Sequence, residues 1–212
     1  MEHSGKDQLE ALAEIRGLME RSTRFLSLSG LSGVFAGIYA LIGAGAAYWH
    51  LKLNVYDRAY YAYLKSSESA MMKFMMFFFF DAGMVLALTL LTAIYFTGKK
   101  ASRQGQSIFD KTALRLIAHL FFPLIAGGIF CLALIDYGFF GLIAPVMLIF
   151  YGIGLINASK FTFENVRYLG LAEVVLGLIA SFNTGYGLFF WCIGFGFFHI
   201  VYGIYMYIKF DK

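Results

Sequence analysis

The chain has 212 residues, of which 60% are hydrophobic and only 14% are charged, with a formal net charge of +4. Soluble domains typically carry about 25% charged residues, so this balance excludes a water-soluble fold. Its apolar runs lack the alternating polarity of membrane β-barrel strands. The positive charges lie between those runs, where membrane orientation explains them better than nucleic-acid binding. The composition therefore predicts an all-α integral membrane protein whose partner is the lipid bilayer, with no nucleic-acid partner.

Residues 1–23 are polar and carry apolar side chains at near-helical spacing, namely Leu9, Leu12, Ile15, Leu18 and Met19. Spacings of three or four residues place such side chains on one face of a helix. The pattern predicts an amphipathic helix at the cytoplasmic membrane surface or over the inner ends of the transmembrane helices. A second copy of the chain, or another membrane protein, is the alternative partner for this helix.

Residues 24–212 form the predicted transmembrane domain, because six apolar runs approach the roughly 20 residues that a helix needs to cross a bilayer. The predicted spans cover residues 25–49, 74–96, 114–135, 139–158, 168–182 and 188–208, of which the fifth is the shortest. Short connections join the third span to the fourth and the fifth to the sixth. Weak similarities between the span starts favour repeated two-helix units. The predicted fold is a six-helix bundle of three antiparallel hairpins.

The orientation follows from the distribution of Lys and Arg. An even number of spans places both termini on one side of the membrane, and that side carries most of the 17 Lys and Arg residues, including Lys99, Lys100 and Arg103. The opposite side has only those of connection 50–73. Because Lys and Arg concentrate in cytoplasmic connections, both termini are predicted to be cytoplasmic. The predicted location is a bacterial cytoplasmic (inner) membrane.

Four ionisable side chains fall within the predicted spans, where charge is costly and such residues often belong to functional sites. At about 1.5 Å per helical residue, His119, Glu173 and His199 lie in the cytoplasmic half and could converge from three helices. Asp81 enters the second span from the opposite face, where it is expected to be neutral or paired. These four residues form the candidate site for a small ligand or an ion.

Three interpretations of this cluster stay open. A hydrogen-bonded structural network is the commonest outcome and would suit an accessory membrane subunit without chemistry. A ligand or proton site would suit a transporter-like or sensor-like protein, which is the preferred function. His119, Glu173 and His199 also suit Zn, Fe or Mn, and two imidazoles suit a haem, although no Glu-x-x-His pair supports this. No cofactor is assigned, and enzymatic activity is not expected because nucleophile, phosphate-loop and metalloprotease motifs are absent.

Glycines flank the two central candidates at helical spacing, three residues before and four residues after both Glu173 and His199. Small residues on one helix face allow a second helix to approach closely. Each polar group is therefore expected to lie in a groove between packed helices. The predicted packing residues are Ser29, Gly33 and Gly37 in the first span, Gly170 and Gly177 in the fifth, and Gly196 and Gly203 in the sixth.

Overall fold

The computed structural model describes residues 24–50, 64, 67–103, 105, 107 and 110–211, and this part of the chain contains no strand. Its helices are α1 (Gly30–His50), α2 (Glu68–Arg103), α3 (Lys111–Asp136), α4 (Ile143–Ala158), α5 (Val166–Ser181) and α6 (Gly187–Phe210). The predicted all-helical class is therefore confirmed. The predicted helix over residues 1–23 and most of the connection between α1 and α2 lie outside the described residues.

Five of these helical segments are long and apolar enough to cross a membrane: α1, α2, α3, α6 and the segment Phe140–Phe161, in which 3-10 turns extend α4 at both ends. The lengths and composition of these helices are consistent with the predicted membrane protein. α5 has 16 residues, or about 24 Å at 1.5 Å per residue, which is shorter than a hydrocarbon core of roughly 30 Å. A sixth crossing, by α5, stays a prediction.

Polar side chains and a glycine set the helix ends. The carboxylate of Asp110 accepts a 2.6 Å hydrogen bond from the backbone N–H of Ala113 and so caps the start of α3. Gly138, with φ at 71°, lies in the turn that follows α3, in the left-handed conformation that favours glycine. The side chain of Asn183 donates to the carbonyl of Ile179 at 2.8 Å, which satisfies one of the last carbonyls of α5.

The helices pack as two groups of three, which we call the first half and the second half of the protein. The first half consists of α1, α2 and α6, with α1 between the other two. The second half consists of α3, α4 and α5, with α4 between the other two. A short turn joins α5 to α6, yet α5 packs mainly against α4 and α6 mainly against α1. The last two helices thus belong to different halves, and the three-hairpin arrangement stays a prediction.

Within each half, the helix backbones approach closely at glycines. A Cβ atom on Gly37 of α1 would lie 2.6 Å from the carbonyl oxygen of Gly196 in α6. In the second half, a Cβ atom on Gly152 would lie 2.5 Å from the carbonyl oxygen of Gly170, and one on Gly177 would lie 2.9 Å from that of Pro145. No side chain fits at such distances, so glycine is what lets each half pack as tightly as it does.

The other predicted packing positions lie at the contact between α1 and α6. A Cβ atom on Gly33 would lie 3.2 Å from the Cα atom of Gly203, and one on Gly203 would collide with the backbone of Val34. Ser29 differs, because it precedes the first residue of α1 and its hydroxyl donates to Asp211 at 2.9 Å. Ser29 therefore contributes a polar contact at the start of the helix.

We expect Gly37→Ala to destabilise the protein by about 1–3 kcal/mol, the usual cost of forcing atoms into a well-packed contact. The added methyl group would meet backbone atoms, which cannot move aside as a side chain can. Gly45→Ala in the same helix is the control, because no atom lies within 4 Å of its Cβ position. Equilibrium unfolding in mixed detergent micelles would measure both variants. Equal stability of the two would contradict close packing of α1 on α6.

Candidate functional site

Glu173 is an ionisable group that is fully buried, with 0% of its surface exposed. It lies on the face of α5 that also buries Leu169, Gly170 and Gly177, since residues three and four apart share a helix face. Neither of its carboxyl oxygens has a hydrogen-bond partner among the described residues. Buried polar groups in folded proteins are almost always bonded, so this carboxyl group needs an explanation.

His199 of α6 is buried, and both of its ring nitrogens have partners. Nδ1 lies 3.0 Å from the carbonyl oxygen of Gly194, and Nε2 lies 2.7 Å from the hydroxyl of Tyr151 in α4. A carbonyl oxygen can only accept, so Nδ1 carries the hydrogen. In the neutral ring, Nε2 is then the acceptor, and the Tyr151 hydroxyl donates to it. These two bonds fix the tautomer and the orientation of the imidazole.

The two predicted residues, Glu173 and His199, meet across the boundary between the halves. Their closest atoms, Oε1 and Nδ1, lie 3.5 Å apart. That distance is within reach of an ion pair, but it is long for a hydrogen bond, and Nδ1–H already points to Gly194. Glu173 therefore faces the N–H side of the imidazole, and the basic nitrogen of the ring, Nε2, lies against the Tyr151 hydroxyl.

A π-helical turn at Cys192–Phe198 shapes α6 immediately before His199. Such turns are rare and frequently mark functional sites. Gly194 lies within it, and a Cβ atom there would be 2.5 Å from Oε2 of Glu173. The missing side chain makes room for the carboxyl group, while the carbonyl oxygen of the same residue binds the imidazole. Gly194 thus positions both members of the pair.

Aromatic rings pack against His199, the imidazole side of this pair. The ring of Tyr151 lies 5.2 Å from that of Phe195 and 5.3 Å from that of His199, between ring centroids, and Trp191 lies 4.4 Å from Phe195. Rings at these distances pack favourably and exclude water. Electrostatic interactions strengthen in such a dry site, and an unbonded polar group becomes more costly there.

A cleft of about 430 Å³ opens between α5 and α6, beside the buried pair. Ala172, the residue before Glu173, lines it together with Tyr168, Tyr202 and Tyr205. The hydroxyl of Tyr202 is buried and has no hydrogen-bond partner within the described ranges. This cleft and the Glu173 pair both lie where the two halves of the protein meet.

The structure does not bring His119 to this pair. His119 is exposed at the edge of the face that α3 packs on α4, and its ring stacks on that of Phe161 with centroids 4.7 Å apart. No three His, Cys, Asp or Glu side chains of the described residues group as metal ligands. The expected convergence of His119 with Glu173 and His199 is therefore not found, and both nitrogens of His199 are already engaged.

Asp81 also lies apart from the pair. It is half-buried on α2 against α1, where a Cβ atom on Gly43 would lie 3.1 Å from its Oδ2 atom. This contact belongs to the first half, whereas Glu173 lies on α5 of the second half. Of the four predicted candidates, the structure thus joins Glu173 and His199 alone.

A second polar cluster, at the end of α6, does not follow from the sequence pattern. Lys100 at the end of α2 pairs with Asp211 at 2.6 Å between Nζ and Oδ1, and Nζ also donates to the carbonyl of Leu28 at 3.0 Å. Oδ2 of Asp211 accepts bonds of 2.9 Å from the Ser29 hydroxyl and from the backbone N–H of Gly30. Asp211 therefore caps α1 from another helix, in the position where a helix favours negative charge.

Sequence reasoning also missed Tyr151, Gly194 and Tyr202 at the main site. The sequence does not single them out, because the spacing of Gly194 and Gly196 also occurs at Gly43 and Gly45, at Gly152 and Gly154, and at Gly185 and Gly187. No protein-family model matches the chain, and comparison with curated proteins and with solved structures likewise finds no match.

Proposed function

We propose that this protein binds a proton on Glu173 and His199 and uses it to handle a small ligand or ion, as a transporter-like or sensor-like membrane protein. The observation that carries the proposal is the fully buried Glu173, whose oxygens lack hydrogen-bond partners in the described structure although Nδ1 of the His199 imidazole lies 3.5 Å away. A purely structural network would be expected to satisfy this carboxyl group. An unsatisfied acid beside an imidazole instead favours a site whose occupancy changes.

A proton fits this site better than a metal ion. Calcium takes six to eight oxygen ligands and magnesium requires octahedral geometry, whereas neither oxygen of this carboxyl group has a hydrogen-bond partner among the described residues. A proton needs only one of the two partners. It can lie on Glu173 beside a neutral imidazole, or on Nε2 of His199 beside a Glu173 carboxylate, in which case the Tyr151 hydroxyl accepts the hydrogen bond from Nε2 instead of donating it. The two arrangements differ in charge separation, and so in the attraction between α5 and α6.

The position of the pair supports a site at which the two halves of the protein can move relative to each other. Glu173 belongs to the second half and His199 to the first, and the halves meet here through side chains, whereas backbones touch within each half. Many transporters place their binding sites at the interface of two helical units, beside an irregular helix. The π-helical turn of α6 supplies such an irregularity. Movement of the proton would thus alter the contact between the halves.

The proposed arrangement in the membrane has six crossings, with α5 as the shortest. Both chain ends and the end of α6 that carries Asp211 lie on the cytoplasmic side of a bacterial inner membrane, so the pair lies in the cytoplasmic half. The Lys and Arg distribution supports this orientation. Addition of a membrane-impermeant thiol reagent to cells carrying a single engineered cysteine after Lys212 would test it, with labelling of intact cells as the contradicting result.

Infrared spectroscopy of the purified protein in lipid tests the proton site directly. We expect the wild-type protein to show a carboxylic-acid C=O band from a buried group whose intensity changes with pH. Glu173→Gln is expected to abolish this band, because glutamine has nearly the same shape and cannot ionise. Glu164→Gln is the matched control, since Glu164 is exposed in the connection before α5. The same pH-dependent band in Glu173→Gln as in the wild type would overturn the proposal.

A further inference from the structure

A smaller cleft, of about 240 Å³, lies between α3 and α4 on the outer surface of the second half. Its volume is below the roughly 300–1,000 Å³ of typical small-molecule sites, so it suits one part of a larger molecule. Phe122 lines the cleft with 78% of its surface exposed, which places the cleft on the surface that meets lipid. The other lining residues are Ala118, His119 and Pro123 of α3 and Asn157 of α4.

Two polar side chains in this cleft, those of His119 and Asn157, form no hydrogen bond with another described residue. His119 lies about 12 Å along α3 from Lys111, the first residue of that helix. Polar groups at such a depth are costly when they lack partners. Neither side chain is fully buried, so a molecule in the cleft can reach them. Both can donate a hydrogen bond, and oxygen atoms of an occupant would satisfy them.

Positive charge surrounds the end of this cleft nearest the start of α3. Arg115 lies one helical turn before His119 on the same helix face, and Lys111 lies one turn further back. Lys160 directly precedes Phe161, on whose ring His119 stacks with centroids 4.7 Å apart. Lys111, Arg115 and Lys160 are exposed, and none forms an ion pair with a described carboxylate. Basic pockets between transmembrane helices bind anionic lipid head groups.

The order of these groups along α3 identifies the occupant more closely. Arg115, His119 and Phe122 follow one another at intervals of about 5–6 Å, so a charge is followed by a hydrogen-bonding group and then by an apolar ring. A phospholipid that enters from the same membrane surface presents its phosphate, its ester oxygens and its acyl chains in that order. A free anion would leave the hydrogen-bonding and apolar parts of the cleft unused.

We propose that the cleft between α3 and α4 binds one anionic phospholipid from the surrounding bilayer leaflet. The phosphate lies near Arg115 and Lys160, and glycerol ester oxygens accept hydrogen bonds from His119 and Asn157. The first part of an acyl chain lies against Phe122, and the remainder extends into the bilayer. The site is separate from the proton pair, because neither Glu173 nor His199 lines this cleft.

Native mass spectrometry of the detergent-solubilised protein tests the proposal, with phosphatidylglycerol and phosphatidylcholine as probes. We expect the wild type to retain one phosphatidylglycerol in preference to phosphatidylcholine. Arg115→Gln and Lys160→Gln should each reduce this preference about fivefold, the effect of one basic side chain near a charged head group. His119→Phe keeps an aromatic ring beside Phe161 but removes both ring nitrogens, and it should weaken retention about five- to tenfold, the effect of one hydrogen bond.

Controls separate this site from general attraction of anionic lipid and from the binding of free phosphate. Lys99→Gln combined with Arg103→Gln removes two exposed positive charges at the end of α2 and should leave the preference unchanged. Inorganic phosphate should not displace phosphatidylglycerol from the wild type. Glu173→Gln should keep the lipid while losing the infrared band, so the two proposals can fail separately. Equal retention of both lipids by the wild type, release of lipid by phosphate, or equal effects of the α2 and cleft charge variants would overturn the lipid site.

Discussion

Replacing Asp211 with alanine is expected to lower the free energy of unfolding by about 3 kcal/mol, the low end of the cost of breaking a buried ion pair. Asp211 makes three polar contacts, with Lys100, with Ser29 and with the first N–H of α1. The side chains of Lys100 and Asp211 are only 13% and 8% exposed, so water would replace the lost carboxylate poorly. The loss of the cap on α1 adds to the cost of leaving the ammonium group unpaired.

Equilibrium unfolding in mixed detergent micelles measures this effect, with Asp136→Ala as the control. Asp136 also lies near a helix end, but it is exposed, and its removal should change stability by no more than about 0.5 kcal/mol. Lys100→Met combined with Asp211→Leu removes both charges and should recover part of the loss, because no buried charge is then left alone. If Asp211→Ala is as stable as Asp136→Ala, the pair does not hold α1, α2 and α6 together.

A helical membrane protein can be predicted from composition, because helices that lie in lipid need apolar residues along most of the chain. Apolar runs of about 20 residues are needed wherever a helix crosses a bilayer, and α1, α2, α3 and the α4 segment match predicted spans to within several residues. The sequence does not predict which helices pack against each other. α5 and α6 follow one another closely along the chain, yet their glycines pack against α4 and α1 respectively. A glycine spacing predicts close packing without naming the helix that fills the groove.

The candidate site could likewise be predicted only in part. Glu173 and His199 could be predicted because an ionisable group in an apolar run is conspicuous. Their depth along the helix placed them at one level, and the structure has their side chains in contact. His119 met the same test, but it lies at the edge of its packing face, and depth alone does not determine direction around a helix.

The residues that complete the site are inconspicuous in the sequence. Tyr151 is one of 14 tyrosines, and its bond to His199 joins residues 48 positions apart. Lys100 and Asp211 are 111 positions apart. A lysine between two apolar runs is already accounted for by the orientation of the chain in the membrane, so the sequence gives no reason to expect an ion pair there. Gly194 matters because a π-helical turn brings its carbonyl to the imidazole, and no residue pattern specifies such a turn.

Replacing Glu173 with methionine is expected to raise the free energy of unfolding by about 1–3 kcal/mol, the usual penalty for a buried polar group without a partner. Methionine is unbranched and adapts to irregular space, so it can occupy the volume beside Leu148 and Gly194. His199 keeps its bonds to Gly194 and Tyr151 in this variant. The substitution thus removes the unsatisfied group while leaving the polar contacts around it intact.

If Glu173 instead belongs to a structural hydrogen-bond network, Glu173→Met should lower the free energy of unfolding. The substitution would then remove a carboxyl group that holds helices together. Unfolding in mixed micelles distinguishes the two, with Glu164→Met as the control at an exposed position where stability should change little. A less stable Glu173→Met protein would favour the network. A more stable protein that has lost the pH-dependent carboxyl band would mean that Glu173 costs the fold stability, which is the expected behaviour of a group that serves proton binding rather than packing.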